Sequence, residues 1–332
     1  MYIVENYSVA VILTLITMLC WGSWANTQKL AAKTWRFELF YWDYVLGILL
    51  FSLLMGLTLG SSGAQGMGFI DNLRQAEWSS IGKALAGGVI FNLSNILVVA
   101  AIAIAGMAVA FPVGVGIALV LGVIVNYIGN PQGDAILLFS GVTLVGIAIV
   151  LDAFAYREKA AQSQTVPAKG IIIAAIGGIL MAVFYRFVAE SMAKNLITPE
   201  AGLLTPYSAV FIFALGILVS NFLFNTILMK KPIEGEPVTY AQYFKGGIKE
   251  HITGIAGGTI WCVGMSLSIL AAGKAGFAIS YGLGQGATLI AALWGVFIWK
   301  EFKNSSRKVN VLLALMFVLF VAGLGLIILA GS

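Results

Sequence analysis

Gly87-Gly88-Val89-Ile90-Phe91 lies inside the third apolar run of the chain, and Gly257-Gly258-Thr259-Ile260-Trp261 lies inside the eighth. A second pair recurs at nearly the same offset: Gly114-Val115-Gly116 in the fourth run and Gly282-Leu283-Gly284 in the ninth. Glycine is common here, with 39 residues, so either match alone is weak. Together, in equivalent runs, they predict an internal duplication. The longest basic mid-chain loop, 153–169, leaves five runs on each side. An odd number of spans per repeat reverses the second repeat in the membrane. The expected fold is therefore an all-α membrane protein of ten transmembrane helices in two inverted five-helix repeats. Its parts are residues 1–152, a cytoplasmic linker at 153–169, and residues 170–332. That architecture is one of secondary transporters, with the solute near the midplane between the halves.

Composition agrees. The 332 residues are 60% hydrophobic and only 10% charged, against about a quarter charged in soluble domains. Runs of about twenty apolar residues, enough to span a bilayer, fall near 7–27, 39–59, 83–103, 107–128, 134–152, 170–190, 205–229, 253–272, 276–299 and 309–330. The start, Met1 to Tyr7, has no basic residue and no small-residue cleavage site follows it, so the first run reads as a retained helix rather than a signal peptide. Cys20 and Cys262 sit in apolar runs as small packing residues, and a lone His251 cannot build a histidine-rich metal cluster. No phosphate-binding glycine-lysine loop and no paired His and carboxylate motif occurs. The sequence thus gives no sign of an enzyme, a metal or a cofactor. The net charge of +5 is spread over short loops, which argues against nucleic acid as a partner.

The loop charges sort the ends. One alternate set of connections holds Lys29, Lys33, Arg36, Arg157, Lys159, Lys169, Lys230, Lys231, Lys245, Lys249, Lys300, Lys303, Arg307 and Lys308. The other set, with both termini, holds Arg74, Lys83, Arg186, Lys194 and Lys274. The division is 14 against 5, which accounts for all 19 basic residues. The positive-inside bias makes the first set cytoplasmic. Both termini are then expected outside a multi-pass protein of the cell (inner) membrane.

Polar groups within the runs mark the expected path. The first run ends in Cys20-Trp21-Gly22-Ser23-Trp24-Ala25-Asn26-Thr27-Gln28-Lys29. Hydrocarbon offers those groups nothing to bond. Lys29 is expected to snorkel to the interface, and Trp21, Ser23, Trp24 and Asn26 to line the inner path. The repeat predicts a counterpart in the sixth run, and Phe184-Tyr185-Arg186-Phe187-Val188-Ala189-Glu190 supplies it. There Tyr185 and Arg186 would line the outer path, and Arg186 and Glu190 share a helix face. Asn92, Asn95, Trp261 and Gln285 lie near mid-span on equivalent or adjacent helices. Interhelical hydrogen bonding explains any one of them; as a group they read as a solute site. Amides donate and accept at once, and indoles offer flat platforms. No fixed charge lies among them, so the solute is expected to be neutral. Glu190 and Asp43 are the proton-coupling candidates. Asp43 is also a possible partner for Lys29, while Asp152 and His251 read as solvated interfacial groups.

The chain resembles the drug/metabolite transporter superfamily. Within it, the plant-type ureide permeases are matched by Met1-Tyr2-Ile3-Val4-Glu5, Trp42-Asp43-Tyr44, Phe69-Ile70-Asp71, Ala86-Gly87-Gly88-Val89, and Lys300-Glu301-Phe302 with Ser305-Ser306-Arg307-Lys308. The glucose/ribose porter and rhamnose–proton symporter group is matched by Trp21-Gly22-Ser23 and the glycine-rich stretch Gly106 to Gly122. The first likeness implies uptake of ureides and nucleobases such as allantoin and uracil. The second implies uptake of sugars, often with protons. The central loop is shorter than that of the plant permeases, which suggests a prokaryotic member. The indoles and amide of Trp21, Trp24 and Asn26 tip the expectation toward a hexose or pentose taken up by proton symport with alternating access. A ureide or nucleobase permease is the alternative, and an uncoupled facilitator or exchanger a further one.

Overall fold

The computed structural model describes every residue except 32–33, 106, 161–166 and 234. Lys33, Gly106 and residues 161–166 of the expected linker therefore lie outside the described residues, and the linker's first part, 153–160, continues the helix that ends at Ala160. The described chain is almost wholly helical. Its helices are α1 (Tyr7–Ser23), α2 (Ala25–Ala31), α3 (Phe37–Leu57), α4 (Phe69–Gln75), α5 (Trp78–Ala105), α6 (Met107–Gly129), α7 (Ala135–Ala160), α8 (Ala168–Ser191), α9 (Pro206–Lys230), α10 (Tyr240–Phe244), α11 (Ile248–Ala275), α12 (Phe277–Gly284), α13 (Ala287–Leu293) and α14 (Arg307–Leu329), with a π-turn at Trp294–Ile298. Among the described residues the only strand-like pairing is an isolated bridge between Met192 and Leu204.

Nine helices among the described residues are long and apolar enough to cross a membrane, and Val113–Gly129 within α6 is a shorter apolar tenth. The protein is a multi-pass membrane protein. Two spans are built from pieces: α1 runs on into α2, and α12 into α13 and the π-turn. Both breaks use the same local chemistry. At Trp24 the carbonyl accepts from Thr27 N at 3.0 Å and from Thr27 Oγ1 at 2.7 Å. At Gln285 the carbonyl accepts from Thr288 N at 3.3 Å and from Thr288 Oγ1 at 3.0 Å. A threonine three residues on thus competes for a carbonyl that an unbroken helix would give to the fourth residue.

The helices pack as α5 on α8 and α9, α11 on α3 and α1, α6 on α8, and α7 on α14. The first of the two motif pairs lies at the tightest of these crossings. Gly88 faces the Phe213 carbonyl and Gly216 of α9, and Gly258 faces the Tyr44 carbonyl and Ile48 of α3. At each point two backbones meet with no side chain between them, which only glycine allows.

One end of the bundle carries both termini. There Tyr7 Oη donates to Ile328 O at 2.6 Å and Asp134 N to Ala330 O at 2.7 Å. The 61–79 connection contains α4 at this end. Asn72 of α4 donates to Leu203 O at 3.0 Å and accepts from Thr205 N at 2.8 Å. The opposite end, called here the linker end, carries α2, α10, the π-turn and the chain on either side of 161–166.

Candidate functional site

A cavity of about 340 Å³ occupies the middle of the bundle, between α1, α5, α6, α8, α11 and the break after α12. That size lies within the roughly 300–1,000 Å³ of small-molecule sites. Its walls are mostly apolar: Phe91, Val98, Val115, Met181 and Phe184 contribute. No ionisable side chain lines it among the described residues.

The structure brings five of the sequence-selected residues to this cavity: Trp21, Trp24, Asn95, Trp261 and Gln285. Trp21 and Trp261 stack with centroids 5.9 Å apart and planes 16° off parallel. The Trp21 indole N–H donates to Trp261 O at 3.2 Å, which ties α1 to α11. Phe91 closes on Trp261 at 4.4 Å. The result is a flat aromatic wall. Several polar groups on this lining make no hydrogen bond to protein among the described residues: the side-chain amides of Gln28 and Gln285, the indole N–H groups of Trp24 and Trp261, and Asn95 Oδ1. Gln28 and Phe91 were not selected from sequence. Gln28 lies on α2, past the helix break at Trp24.

The other selected residues lie elsewhere. Asn92 does not line the cavity: it is fully buried between α3 and α9, accepting from Tyr41 Oη at 2.9 Å and donating to Ser220 Oγ at 2.9 Å. Ser23 and Asn26 face the segment after α13, where Trp294 Nε1 donates to Ser23 Oγ at 2.9 Å and Trp299 Nε1 to Asn26 Oδ1 at 2.6 Å. Lys29 completes this row. It pairs with Glu301 at 2.6 Å and lies 4.2 Å from the Trp299 ring centroid. Ser23, Asn26 and Lys29 are three apart, so one face of α2 and its approach is fastened to residues 294–301 at three successive points.

This clamp borders a second cavity of about 390 Å³ at the linker end, lined by Asn26, Lys29, Asp152, Tyr156, Trp299 and Glu301 among others. The two cavities share Gly22, Ala25, Gln28, Thr288 and Ala291 as lining, so they adjoin. Partial burial works to raise the Glu301 pKa. Hydrogen bonds from Lys29 and Tyr156 and the charges of Lys29 and Lys159 outweigh it, and the carboxyl is held below its ordinary value. A depressed folded-state pKa means stabilisation that is complete above the unfolded value, about 4.3, and lost as pH falls through the folded one. Glu301→Gln is therefore expected to lower the thermal midpoint of the purified protein by a constant amount from pH 8 to about pH 4.3. Below that the gap to wild type closes. A gap that widens on acidification would contradict the assignment.

The sequence reading offered Asp43 as a partner for Lys29 and placed Asp152 and His251 in solvent. The structure differs, because Glu301 reaches Lys29 first. Asp43 is buried and accepts from Trp35 Nε1 at 3.1 Å and Tyr243 Oη at 2.7 Å, with His251 Nδ1 at 2.8 Å. The Tyr243 phenol is raised by burial and then by that carboxylate. One Asp152 carboxyl oxygen is buried without a hydrogen-bond partner among the described residues.

Toward the termini end the bundle is closed. Tyr185 is fully buried and its Oη lies 2.8 Å from Ser268 Oγ; Ser268 and Ser280 are 3.1 Å apart. Tyr281 donates toward Ala118 O and Met181 O, each at 3.1 Å. Beyond this plug lies a polar cavity of about 370 Å³ holding Lys83, Arg186, Glu190, Lys194 and Glu200. Arg186 pairs with Glu190 at 2.8 Å, and Lys83 stands 3.9 Å from the same carboxylate. Among the described residues this cavity shares no lining residue with the central one.

The ureide permease family model matches residues 40–169 and 159–331. Ureide permease 1 of Arabidopsis thaliana is 24% identical, over 98% of both chains. Ureide permease 2 of the same plant is 23% identical with the same coverage, and probable ureide permease A3 of Vigna unguiculata is 22% identical over 92% of this chain and 99% of its own. A solved crystal structure superposes with a TM-score of 0.63 over 96% of each chain at 15% identity, a likeness of fold alone. These matches overturn the expectation of a sugar symporter, which rested on the Trp-rich element at 21–26. In the structure Ser23 and Asn26 are engaged by Trp294 and Trp299, so half of that element serves the clamp. The chain belongs to the ureide permease family, whose members are transporters and not enzymes.

Proposed function

We propose that the protein is a permease for a small neutral ureide or nucleobase, bound in the central cavity and carried by alternating access. The observation that carries this reading is the lining itself. A stacked indole wall faces unpaired amides and an unpaired indole N–H, with no ionisable group among the described lining residues. A flat ring gains from the wall, and its amide edges gain from Asn95, Gln28 and Gln285. An ion would be stranded there without a counter-charge. The central cavity adjoins the linker-end cavity and is shut off by Tyr185, Ser268, Ser280 and Tyr281, which supports a state open to one side. The charge count supports a cytoplasmic linker end, an inward-facing state and outward termini in an inner membrane.

The reading includes two inverted repeats, 1–152 and 170–332, joined by 153–169. The exchange of packing partners supports it: α5 meets α9 through Gly88 as α11 meets α3 through Gly258, while α7 meets α14. Glu190 and Asp43 stand at opposite ends, away from the cavity, and we assign both to locking the gates. Tyr185 and Arg186 belong to the closed side.

Proteoliposomes loaded with purified protein are expected to take up labelled allantoin or uracil, and the unlabelled compound to compete. Glucose in excess is expected to leave that uptake unchanged. Uptake of neither ring, or its suppression by glucose, overturns the reading.

A further inference from the structure

Resting on the permease reading, we infer that Asn95 is an oriented recognition group: its amide is locked so that Oδ1 is held as a hydrogen-bond acceptor for the solute. The lock is a relay of four side chains that ends on backbone. Ser220 Oγ donates to Gly216 O at 2.8 Å. A carbonyl can only accept, so the Ser220 oxygen is left as an acceptor toward Asn92. Asn92 Nδ2 donates to it at 2.9 Å and also to Ile217 O at 3.3 Å. Those two contacts fix which end of the Asn92 amide is nitrogen, the choice that an isolated amide leaves open. Asn92 Oδ1 then accepts from Tyr41 Oη at 2.9 Å, which uses the only proton of that hydroxyl. The Tyr41 oxygen must accept from its other neighbour, and Asn95 Nδ2 donates to it at 3.1 Å.

Every direction along the chain follows from the backbone carbonyls at its far end. Asn95 is left with Oδ1 and the second N–H of Nδ2; Oδ1 has no hydrogen-bond partner among the described residues and belongs to a residue that lines the cavity. Asn92 and Tyr41 touch no solute in this arrangement. They are positioning residues. The solute must present an N–H at this point. A ring nitrogen carrying a methyl group would leave Oδ1 unpaired in a dry site, which costs a factor of about 10 to 100 in affinity.

The test measures binding of uracil, 1-methyluracil, 3-methyluracil and 1,3-dimethyluracil to the purified full-length protein in nanodiscs. Wild type is expected to bind the dimethyl compound about 10- to 100-fold more weakly than uracil, and one monomethyl compound to share that loss. Tyr41→Phe removes the link that orients Asn95. Its amide can then turn and donate to a ring carbonyl, so discrimination is expected to fall to about threefold or less while uracil still binds. Asn92→Leu, cutting the relay one step further away, is expected to do the same and guards against a folding defect in the first variant. A purely steric penalty on the methyl groups would persist in both variants, and that result overturns the inference. Equal wild-type binding of uracil and dimethyluracil overturns it too, while leaving the permease reading standing. Failure of every ring to bind overturns both.

Discussion

Gly258→Val and Gly88→Val are each expected to cost about 3 kcal/mol or more, the upper end for overpacking a core, and to leave little monodisperse protein after extraction. A Cβ built on Gly258 comes closer to the Tyr44 carbonyl oxygen than the 3.0 Å that real contacts keep, and one built on Gly88 does the same to Phe213 O. The obstacle in each case is backbone in the middle of a transmembrane helix. A flexible side chain can swing aside; a helical carbonyl moves only if its helix moves. Displacing α3 from α11, or α9 from α5, would also disturb Tyr41 and Trp261, which sit on those helices beside the cavity. Gly325→Ala is the matched control. An added Cβ there meets nothing within 4 Å, and the helix gains about 0.5–1 kcal/mol from the lower flexibility of alanine. Thermal unfolding in one detergent, with the folded fraction by size exclusion, separates the outcomes. Wild-type behaviour of Gly258→Val would mean that the α3–α11 crossing is looser than described.

Trp261→Ala carries the second large effect, and it is on transport. Trp261 is 5% exposed and is held by three aromatic neighbours: Trp21 at 5.9 Å, Phe91 at 4.4 Å and Phe213 at 6.1 Å. A base stacked on an aromatic side chain gains about 1–3 kcal/mol, so loss of the platform should raise the half-saturating solute concentration by about 10- to 100-fold. Truncation of a buried Trp also costs about 3–5 kcal/mol of stability. The comparison with Trp261→Phe separates the two. Phenylalanine keeps an aromatic face, and affinity is expected to recover to within about fivefold of wild type, if stacking is worth what it is elsewhere. If uptake by Trp261→Ala falls only with the amount of folded protein, at an unchanged half-saturating concentration, Trp261 is packing and not platform.

Much of the fold was legible because lipid imposes a simple rule. A span must be apolar over about twenty residues, and the ten runs of the sequence became the helices from α1 to α14. Gly88 and Gly258 were legible because close backbone approach leaves no other choice of residue. The short surface helices α4 and α10 were missed, since five to seven residues show no usable periodicity. The breaks at Trp24 and Gln285 were missed for another reason. A threonine hydroxyl taking a carbonyl three residues back is common in unbroken helices too, and only the structure tells the cases apart. Those breaks decide the site. They bring Trp24, Gln28 and Gln285 to one cavity and send Ser23 and Asn26 to the clamp, although Ser23, Trp24, Asn26 and Gln28 looked alike in the sequence as polar or aromatic residues at one helix end. Asn92 and Asn95 differ by less than one turn, and nothing local in the sequence tells which of them reaches the cavity. Glu301 was quoted only as part of a likeness; its ion pair with Lys29 spans most of the chain and has no local signature.

Trp24 and Gln285 are at once the points where two spans bend and part of the wall that a solute would touch. A door hung in this way has its hinge pins inside the lock. A solute bound there would touch both bends at once, with no lever arm through the bundle.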